Sequence, residues 1–404
     1  MNILYYHQHF STPDGASGTR SYEMARHLIQ KNHRVTMICG SSELAHTGLN
    51  GPFSNGRREG MVDGIHVVEF HLPYSNKDSF FKRSLTFFRF AMKSIVWAFT
   101  NPYDLLFATS TPLTAGIPGI AAKLFRQKPF VFEVRDLWPE LPEKMGVIQN
   151  PWILLGMHIL EWLSYHSANA CIGLSPGIVN GICKKGIAKE FISMVPNGCD
   201  IQLIGPIKSF ENTPKKQYHA IFAGAHGIAN GLDAVLDAAV ELKKRGREDI
   251  RLIFIGDGKL KPELQKRAYE DNLDNCVFLD PIPKTQLIEK LKNADIGLMI
   301  LDNIPAFYYG TSPNKFFDYI ACGLPVINNY PGWLADLIHE NRCGCAVPPD
   351  DPDALARALI TLVDNPQRLK EMGQNSRKLA ESRFDRELLA NQWIQWVEKV
   401  YANG

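Results

Sequence analysis

The sequence lacks the signatures of several common protein classes. Its eight cysteines are scattered and none forms a C-x-x-C pair, so neither a disulfide framework nor a zinc finger is expected. No glycine loop matches G-x-G-x-x-G or G-x-x-x-x-G-K-[ST], which disfavours a nicotinamide oxidoreductase and a P-loop NTPase. No H-x-x-x-H spacing occurs either, so chemistry without a metal ion is expected.

Neither positive nor negative charge predominates in the sequence. The 404 residues include 44 Lys and Arg and 42 Asp and Glu, a net charge of +2, which argues against a nucleic-acid partner. Residues 1–203 hold 19 basic and 15 acidic residues, so this half is the one expected to meet an anionic surface. There is no run of 18 uncharged apolar residues, and MNILYYHQHF passes directly into a predicted strand. We therefore expect a cytoplasmic protein without a secretory signal or a spanning helix.

Short apolar runs alternate with helical patterns along most of the chain, which is too long for one typical core. This alternation predicts the α/β class, with doubly wound parallel sheets that bind ligands at the carboxyl ends of their strands. The segment 198–217, rich in Gly, Pro and Lys, fits an interdomain linker. We expect Rossmann-like domains at 1–203 and 204–383, and a terminal amphipathic helix at 384–404 that returns to the first domain.

Three glycine loops follow predicted strands, where backbone N–H groups can approach a phosphate without an intervening side chain. Each loop alone is weak evidence, because glycine also simply makes tight turns. The loops are Gly15-Ala16-Ser17-Gly18-Thr19-Arg20, Gly224-Ala225-His226-Gly227 and Gly256-Asp257-Gly258.

The stretch TSPNKFFDYIACGLPVI predicts a loop, a short helix, a turn and a strand. Ser312 is a candidate N-cap, Pro313 suits the first helical turn, and Gly323 can take the left-handed conformation that ends a helix. A helix N-terminus beside Lys315 predicts an anion site. The alternative is an ordinary capped helix with no ligand.

The stretch FEVRDLWPE places Glu133, Arg135, Asp136 and Glu140 at the end of a predicted strand. The carboxyl end of such a strand faces a ligand site in a doubly wound domain, so Arg135 and Asp136 are candidate functional residues. The alternative is an Arg–Asp ion pair that holds the loop in place.

The stretch 79–99 predicts a helix that is apolar around most of its circumference. Lys82, Arg89 and Lys93 fall within about 40° of one another at 100° per residue. Such a helix suits an anionic membrane interface, and we expect a peripheral position on the inner face of the cell membrane. The alternative is a helix packed in the domain, with cations that extend to water.

Together these motifs resemble the GT-B glycosyltransferases of family 4, in the branch that builds bacterial surface polysaccharides such as O-antigen and capsule. The resemblance spans the whole chain. It includes GASGTR, VRDLWPE, LSPGI, VPNGCD, IFAGAHGIANGLD, IFIGDG, SPNKFFDYIACGLPVI and GCAVPPDDPDALA. It implies two Rossmann-like domains facing across a cleft, with the acceptor in the first and the donor in the second. It also implies a retaining transferase without a metal or other cofactor, whose donor is a nucleotide-diphosphate sugar, with UDP and an N-acetylated hexosamine expected.

The chain departs from the family pattern at several positions. The two glutamates of the common Glu-x7-Glu motif fall on Gly310 and Asp318, and a common histidine falls on Arg135. The arginine and lysine that commonly neutralise the donor diphosphate fall on Ala225 and Asn230. Lys315 and the start of its helix are the expected replacements.

The resemblance then implies a role for each candidate residue. Arg135, Asp136 and Lys315 are the expected catalytic residues, and Asp318 is the expected ribose ligand. The expected diphosphate ligands are Gly15, Gly18, Arg20, Gly227, Ser312, Asn314 and Lys315. Residues expected near the nucleotide or sugar are His226, Gly256, Asp257 and Gly310. Lys82, Arg89 and Lys93 are expected to face a membrane or a lipid-linked acceptor; a saccharide acceptor is equally open.

Two other functions remain open from the sequence. A nucleotide-sugar 2-epimerase shares the architecture and would use acid–base residues, for which Asp136, Glu140 and His226 are the candidates. A binding subunit without catalytic activity is the third possibility, because Gly310 replaces a glutamate that contacts the sugar.

Overall fold

The computed structural model describes residues 1–75, 78–207 and 215–403. The chain forms two compact units. The first comprises Met1–Pro196, Tyr309–Ser312 and the segment that begins at Glu387, and the second comprises Asn197–Tyr308 and Pro313–Arg386. The first segment of the first unit ends at Pro196, whereas the predicted boundary is residue 203.

The first unit is built on a sheet to which eight strands of the described residues belong. They are β1 (Asn2–Tyr6), β2 (Arg34–Gly40), β3 (Arg57–Val62), β4 (Ile65–Phe70), β5 (Leu105–Thr109), β6 (Phe130–Val134), β7 (Ala170–Gly173) and β8 (Ile192–Met194). Their order is β3-β4-β2-β1-β5-β6-β7-β8, and the pairs are parallel except for the β3–β4 hairpin. Runs such as LLFAT in β5 and FVFEV in β6 are buried throughout, as expected for a sheet covered on both faces.

The second unit contains a parallel sheet of six strands in the part of the chain that is described. They are β9 (Tyr218–Ala223), β10 (Ile250–Ile255), β11 (Cys276–Leu279), β12 (Ile296–Met299), β13 (Val326–Asn328) and β14 (Gly344–Ala346). Their order is β11-β10-β9-β12-β13-β14. The order reverses at β9, so the carboxyl ends of β9 and its neighbours form the switch point at which doubly wound sheets bind ligands.

Helices connect the strands in both units. In the first unit they are α1 (Arg20–Gln30), α2 (Phe80–Thr100), α3 (Gly116–Arg126), α4 (Glu140–Lys144), α5 (Pro151–Ser167) and α6 (Pro176–Lys184). Those that follow are α7 (Ile201–Ile204), α8 (Asp233–Lys244), α9 (Lys261–Glu270), α10 (Lys284–Lys292), α11 (Pro305–Gly310), α12 (Asn314–Ala321), α13 (Trp333–Glu340), α14 (Pro352–Val363), α15 (Pro366–Arg383) and α16 (Arg386–Ala402). Short 3-10 helices span Leu113–Ala115, Lys189–Phe191 and Ile228–Asn230.

The prediction of two doubly wound α/β domains is confirmed. The helix predicted over residues 79–99 is present as α2 and spans Phe80–Thr100. Helix α15 was not predicted, because its sequence PQRLKEMGQNSRKLAESR is mostly polar and shows no regular apolar stripe. Within the described residues, no helix is both long and apolar enough to cross a bilayer.

Candidate functional site

Two glycine loops of the second unit pack backbone against backbone. Gly224–Gly227 follows β9, and Gly256–Gly258 follows the neighbouring strand β10. A Cβ atom at Gly256 would lie 1.9 Å from the carbonyl oxygen of Gly224, and one at Gly258 would lie 2.4 Å from a carbonyl oxygen of the loop after β9. No side chain fits at these distances, so glycine is required at both positions. The structure therefore brings two of the three predicted loops together at the switch point of the sheet.

The other predicted residues of these loops have different surroundings. A Cβ atom at Gly227 would meet nothing within 4 Å, so glycine is not required there by packing. Asp257 accepts a hydrogen bond from the Gly258 backbone N–H at 2.8 Å through its carboxylate and one from the His226 N–H at 2.9 Å through its carbonyl oxygen. Asp257 thus links the two loops through these hydrogen bonds.

Lys315 reaches the same loops from helix α12. Its Nζ donates to Asn230 Oδ1 at 2.7 Å and lies 3.9 Å from the centroid of the Phe222 ring. Its Cε and Nζ lie 3.1 Å from where a Cβ atom of Gly224 would be, so glycine leaves the space that the lysine uses. Burial lowers the pKa of Lys315 to about 7. An anion at this position would stabilise the charged form of the amine.

Among the described residues, the charge of Lys315 is met by an amide and an aromatic ring and not by a carboxylate. Its hydrogen-bond partner is the neutral amide of Asn230, and no carboxylate of the described segments forms an ion pair with it. Asn230 in turn donates to the Ala225 carbonyl oxygen at 2.7 Å, which fixes the orientation of the amide. From the sequence, Asn230 was interpreted only as the replacement of a basic residue that is common in the family. The structure shows that it also positions Lys315 through a hydrogen bond.

The start of helix α12 differs from the prediction. The helix begins at Asn314 and its N-cap is Pro313, which has no side-chain cap hydrogen bond, so the prediction of Ser312 as N-cap was wrong. Ser312 and Gly310 belong to the short segment that groups with the first unit. Gly323 has φ +73°, and the prediction that it ends the helix in the left-handed conformation is confirmed.

Asp318 lies one turn after Lys315 and joins a buried ionic cluster. Lys284 Nζ donates to Asp318 Oδ1 at 2.5 Å and lies 3.3 Å from Asp200 Oδ2. Arg386 Nε donates to Asp200 Oδ1 at 2.7 Å. The Asp318 carboxylate thus already has one charged partner, and its ribose role stays a prediction in which the sugar hydroxyls share this carboxylate with Lys284.

The pKa values of the two carboxylates in this cluster, Asp318 and Asp200, are shifted in opposite directions. Burial raises the pKa of Asp318, an effect that Lys284 opposes. Burial acts in the same direction on Asp200, but Arg386 and Lys284 outweigh it and hold the pKa of Asp200 well below its usual range. Removal of Lys284 would leave the buried Asp318 without its charged partner, and removal of Asp200 would do the same to Arg386, which is strongly destabilising.

His226 is fully buried in the loop after β9. Its ring lies 6.1–6.4 Å from the rings of Phe222, Phe254 and Phe278, and within the described residues neither ring nitrogen has a hydrogen-bond partner. Burial and the nearby Lys261 charge lower the pKa of His226 to about 4. The imidazole is therefore neutral at physiological pH and packs as part of an aromatic cluster.

Arg20 of the first unit does not fit the predicted diphosphate role. Its guanidinium is fully buried, and its Nη2 donates to Glu133 Oε2 at 2.8 Å and to the Val195 carbonyl oxygen at 2.9 Å. Its Nη1 donates to the Pro196 carbonyl oxygen at 2.6 Å, and Thr109 Oγ1 supplies a further hydrogen bond to Glu133 at 2.9 Å. This network ties helix α1 to strands β5 and β6 and to the segment after β8. The prediction is corrected accordingly: Arg20 is a structural residue.

The glycines near Arg20 belong to the same loop. A Cβ atom at Gly15 would lie 2.2 Å from Ser11 Oγ and 2.7 Å from the His46 backbone nitrogen, so a larger residue would displace neighbouring backbone. Gly18 is half-buried between Gly15 and helix α1. The predicted phosphate contacts of both glycines stay predictions.

Arg135 and Asp136 follow strand β6 as predicted, but they do not pair with each other. Arg135 Nη1 lies 3.0 Å from His7 Nε2, and Thr111 Oγ1 donates to Asp136 Oδ2 at 3.4 Å. Burial lowers the pKa of Arg135 and raises that of Asp136. Burial also holds the pKa of His7 well below its usual range, so His7 is neutral and can accept a hydrogen bond from the guanidinium. The carboxyl ends of β1 and β6 thus bring together His7, Arg135 and Asp136.

The three cations predicted to form a stripe on α2 have unequal surroundings. Lys82 forms an ion pair with Asp78 at 2.6 Å, and Lys93 is half-buried with its Nζ 5.4 Å from the centroid of the Phe70 ring. Arg89 is exposed. The spacing correctly placed them on one side of the helix, but it could not show that Lys93 packs against the domain.

Sequence reasoning missed several residues that support the site. Lys284 and Arg386 gave no local signal, because their partners lie 34 and 186 residues away along the chain. His7 gave one, since it directly follows strand β1 and the carboxyl ends of parallel strands share an edge. No group of three or more His, Cys, Asp and Glu residues suited to a metal ion occurs among the residues described.

Family models match both halves of the chain. "Glycosyltransferase Family 4" matches residues 17–203, and "Glycosyl transferases group 1" matches residues 206–379. With the two Rossmann-like domains described above, these matches show that the chain belongs to the GT-B glycosyltransferases of family 4.

Individual relatives are more distant. The O-antigen chain mannosyltransferase C of Escherichia coli is 25% identical over 178 residues, 43% of this chain and 44% of that protein. The probable glycosyltransferase WbjE of Pseudomonas aeruginosa is 25% identical over 311 residues, 72% of this chain and 74% of that protein. The chain spans about half the length of most curated relatives that it matches.

Solved structures show the same fold over the whole chain. The Anabaena protein Alr3699/HepE, in a crystal structure with UDP and glucose, superimposes with a TM-score of 0.69 and 17% identity. The match covers 98% of this chain and 99% of that protein.

Proposed function

We propose that the chain is a retaining, metal-independent glycosyltransferase of surface-polysaccharide biosynthesis. It transfers a sugar from a nucleotide-diphosphate donor to a lipid-linked or saccharide acceptor. The observation that carries the proposal is the uncompensated Lys315 amine, which lies beside Gly224 and is held by Asn230 at the switch point of the second sheet.

A diphosphate matches this site chemically. A bound diphosphate would supply the negatively charged partner that Lys315 lacks among the described residues. The glycine loops leave backbone N–H groups accessible to phosphate oxygens. When the sugar–phosphate bond breaks, more negative charge develops on the leaving phosphate. A preformed cation at that point stabilises the transition state more than the ground state.

The proposed donor nucleotide is UDP, which the similar Anabaena structure contains. Asp318 would accept hydrogen bonds from the ribose hydroxyls one helical turn from Lys315. The proposed sugar is an N-acetylated hexosamine, as the resemblance to the surface-polysaccharide branch implies.

The retaining course is part of this proposal and comes from the family resemblance; the bases of the first unit bear on which retaining route is available. In the first unit, Asp136 and Arg135 lie at a strand end, without a second carboxylate paired to Asp136 in the described part. A double-displacement reaction needs two carboxyl groups about 5 Å apart. We propose instead that the departing phosphate accepts the acceptor's proton while the acceptor attacks from the same face, with Arg135 and Asp136 orienting the acceptor.

The experiment is a donor screen followed by an acceptor assay. UDP- and GDP-linked sugars are tested by thermal shift, where a ligand at one hundred times its Kd stabilises by about 2.7 kcal/mol. The stabilising donor, labelled in its sugar, is then incubated with a polyprenyl-diphosphate saccharide or a free oligosaccharide, and the anomeric configuration of the product is read by NMR.

The assay also separates the alternatives. Transfer with retained configuration supports the proposal. Conversion of the donor to its C2 epimer would establish an epimerase instead, although His226, enclosed by phenylalanines, is poorly placed for that reaction. A third outcome is a donor that binds but is neither transferred, slowly hydrolysed nor epimerised. This would point to a catalytically silent subunit and refute the proposal.

A further inference from the structure

Helix α5 of the first unit has an inverted distribution of polar and apolar side chains. Its buried residues are Glu161, Ser164 and Tyr165. Its exposed side chains are mostly apolar, namely Trp152, Ile153, Leu155, Ile159 and Trp162, with His166 exposed in the last turn. A helix on the surface of a water-soluble domain normally shows the opposite pattern. Trp152 is 78% exposed, and such exposure of the largest apolar side chain requires an explanation.

Helix α2 presents a second apolar stripe. Its exposed large side chains recur at steps of three and four residues, which places them on one face along the whole helix. They are Phe81, Leu85, Phe88, Met92, Val96 and Phe99; Phe80, the first residue of the helix, is exposed as well. The 21 residues of α2 span about 30 Å at 1.5 Å per residue.

Helix α3 joins the two stripes into one surface. It packs against both α2 and α5. Its last turns expose Leu124 and Phe125, and the Phe125 ring lies 6.3 Å from the ring of Phe99 on α2. The exposed apolar side chains of α2, α3 and α5 are called the three-helix surface below. With fourteen large side chains it is on the order of 1,000 Å², above the few hundred Å² of the largest apolar patch on a typical monomer.

The charges on these helices have one sign. α2, α3 and α5 contain six Lys and Arg residues and a single carboxylate, Glu161. Glu161 is buried and forms an ion pair with Lys185 at 2.7 Å, so no exposed carboxylate lies on any of the three helices. The three-helix surface therefore combines apolar side chains with cations such as Lys82 and Arg89.

We propose that the three-helix surface binds an anionic phospholipid bilayer, with α5 and the apolar stripe of α2 lying in the interface. Anionic headgroups complement the cations, and the apolar side chains enter the acyl boundary. Trp152 and Trp162 lie ten residues apart, about 15 Å along α5, and tryptophan is enriched where protein meets the headgroup region.

A second copy of the chain is a poorer occupant. In a two-fold dimer the same surface contacts itself, so Arg89 and the other cations of one copy would approach like charges of the other, while Asp78 is already paired with Lys82. A bilayer removes this repulsion, because the opposing charge is supplied by the lipid. The proposal deepens the proposed function, in which the acceptor is lipid-linked, but it is tested without donor or acceptor.

The test is vesicle sedimentation of the full-length chain. We expect recovery with vesicles of 70% phosphatidylcholine and 30% phosphatidylglycerol, at least tenfold weaker binding to phosphatidylcholine alone, and weakening as salt rises from 50 to 500 mM. The apolar variant Trp152→Gln, Ile159→Gln, Trp162→Gln changes only exposed side chains, so the fold should survive, and we expect it to lose at least 90% of the binding. The cationic variant Lys82→Gln, Arg89→Gln, Lys93→Gln should bind weakly and without salt dependence.

The matched control is Tyr269→Gln, which removes an exposed aromatic ring of the second unit and should bind vesicles like the wild type. Wild type left in the supernatant, or an apolar variant that binds equally, would overturn the proposal. A wild-type dimer by light scattering that becomes monomeric in the apolar variant would assign the surface to self-association instead. Thermal shift with UDP is measured on the same samples. Vesicle binding without a UDP shift would refute the donor site alone, and a UDP shift without vesicle binding would refute the membrane proposal alone.

Discussion

Replacement of Lys315 by methionine should separate stability from function. The variant keeps the length and apolar contacts of the side chain but removes its amine. The difference between the ordinary pKa of 10.5 and about 7 corresponds to ~5 kcal/mol in favour of the neutral form. Solvent reaches part of this half-buried side chain, so we expect the free variant to be more stable than the wild type by only about 1–3 kcal/mol at pH 6.

The pH dependence gives the sign of the effect. Between pH 7 and pH 10.5 the unfolded chain still holds the Lys315 proton while the folded protein has released it. The unfolded state therefore binds more protons, and this residue makes stability rise with pH across that window. The rise should be missing in Lys315→Met, as measured by urea unfolding at half-unit pH intervals.

The affinity for UDP should fall as pH rises, which is the opposite of the trend in stability. Diphosphate binding restores the proton to Lys315, so UDP affinity should fall up to tenfold per pH unit from pH 7 to 9, where the phosphate itself is fully ionised. Calorimetry of Lys315→Met should show weaker binding without this slope, and its transfer rate should fall about 10²–10³-fold.

The matched control is Lys266→Met, an exposed lysine on α9 that should reproduce the wild type in every assay. A Lys315→Met protein that is less stable than the wild type, with unchanged UDP affinity and transfer rate, would refute the reasoning. Lys315 would then be a structural residue that supports helix α12.

Other substitutions test the remaining assignments. Asp318→Asn should weaken nucleoside diphosphate binding about tenfold by calorimetry, because an amide cannot accept two hydroxyl hydrogen bonds as a carboxylate does; unchanged affinity would exclude the ribose role. Arg135→Ala and Asp136→Ala should each lower transfer at least tenfold while the melting temperature changes little, since neither residue fills a core; a large drop in that temperature would favour a structural role. Arg20→Ala should destabilise by about 3–5 kcal/mol in urea, because Glu133 is left buried without its partner, and UDP affinity at temperatures where the variant is folded should not change.

Local patterns predicted much of the fold. The alternation of apolar runs and helical periods specified parallel sheets in two domains, because strand and helix periods are properties of neighbouring residues. The β3–β4 hairpin was not predicted, since its first strand, RREGMV, is polar and half-exposed at the sheet edge. Burial there is too slight to leave an apolar pattern in the sequence.

The candidate site was predicted only in part. Glycine loops and the lysine before an apolar helix are sequence-local features, and the structure brings Lys315 to the Gly224 loop. The predicted role of Arg20 was wrong because a basic residue in a glycine loop looks the same whether it faces a ligand or a buried carboxylate. Glu133, its partner, lies 113 residues away along the chain.

The sequence by itself determined most of the strands, helices and turns, because these follow from the side-chain period and from glycine and proline over a few residues; the polar elements β3 and α15 lack that period and were missed. Only the tertiary structure decided which charges remain uncompensated. Lys284 and Asp318 neutralise each other across 34 residues, whereas the described contacts of the Lys315 amine are an amide and an aromatic ring. Likewise, α5 is apolar in sequence, but only its packing shows that Glu161 points inward and the tryptophans outward. Charge pairing and exposure depend on which elements become neighbours in space, and this is a property of the assembled sheets and helices rather than of any local stretch.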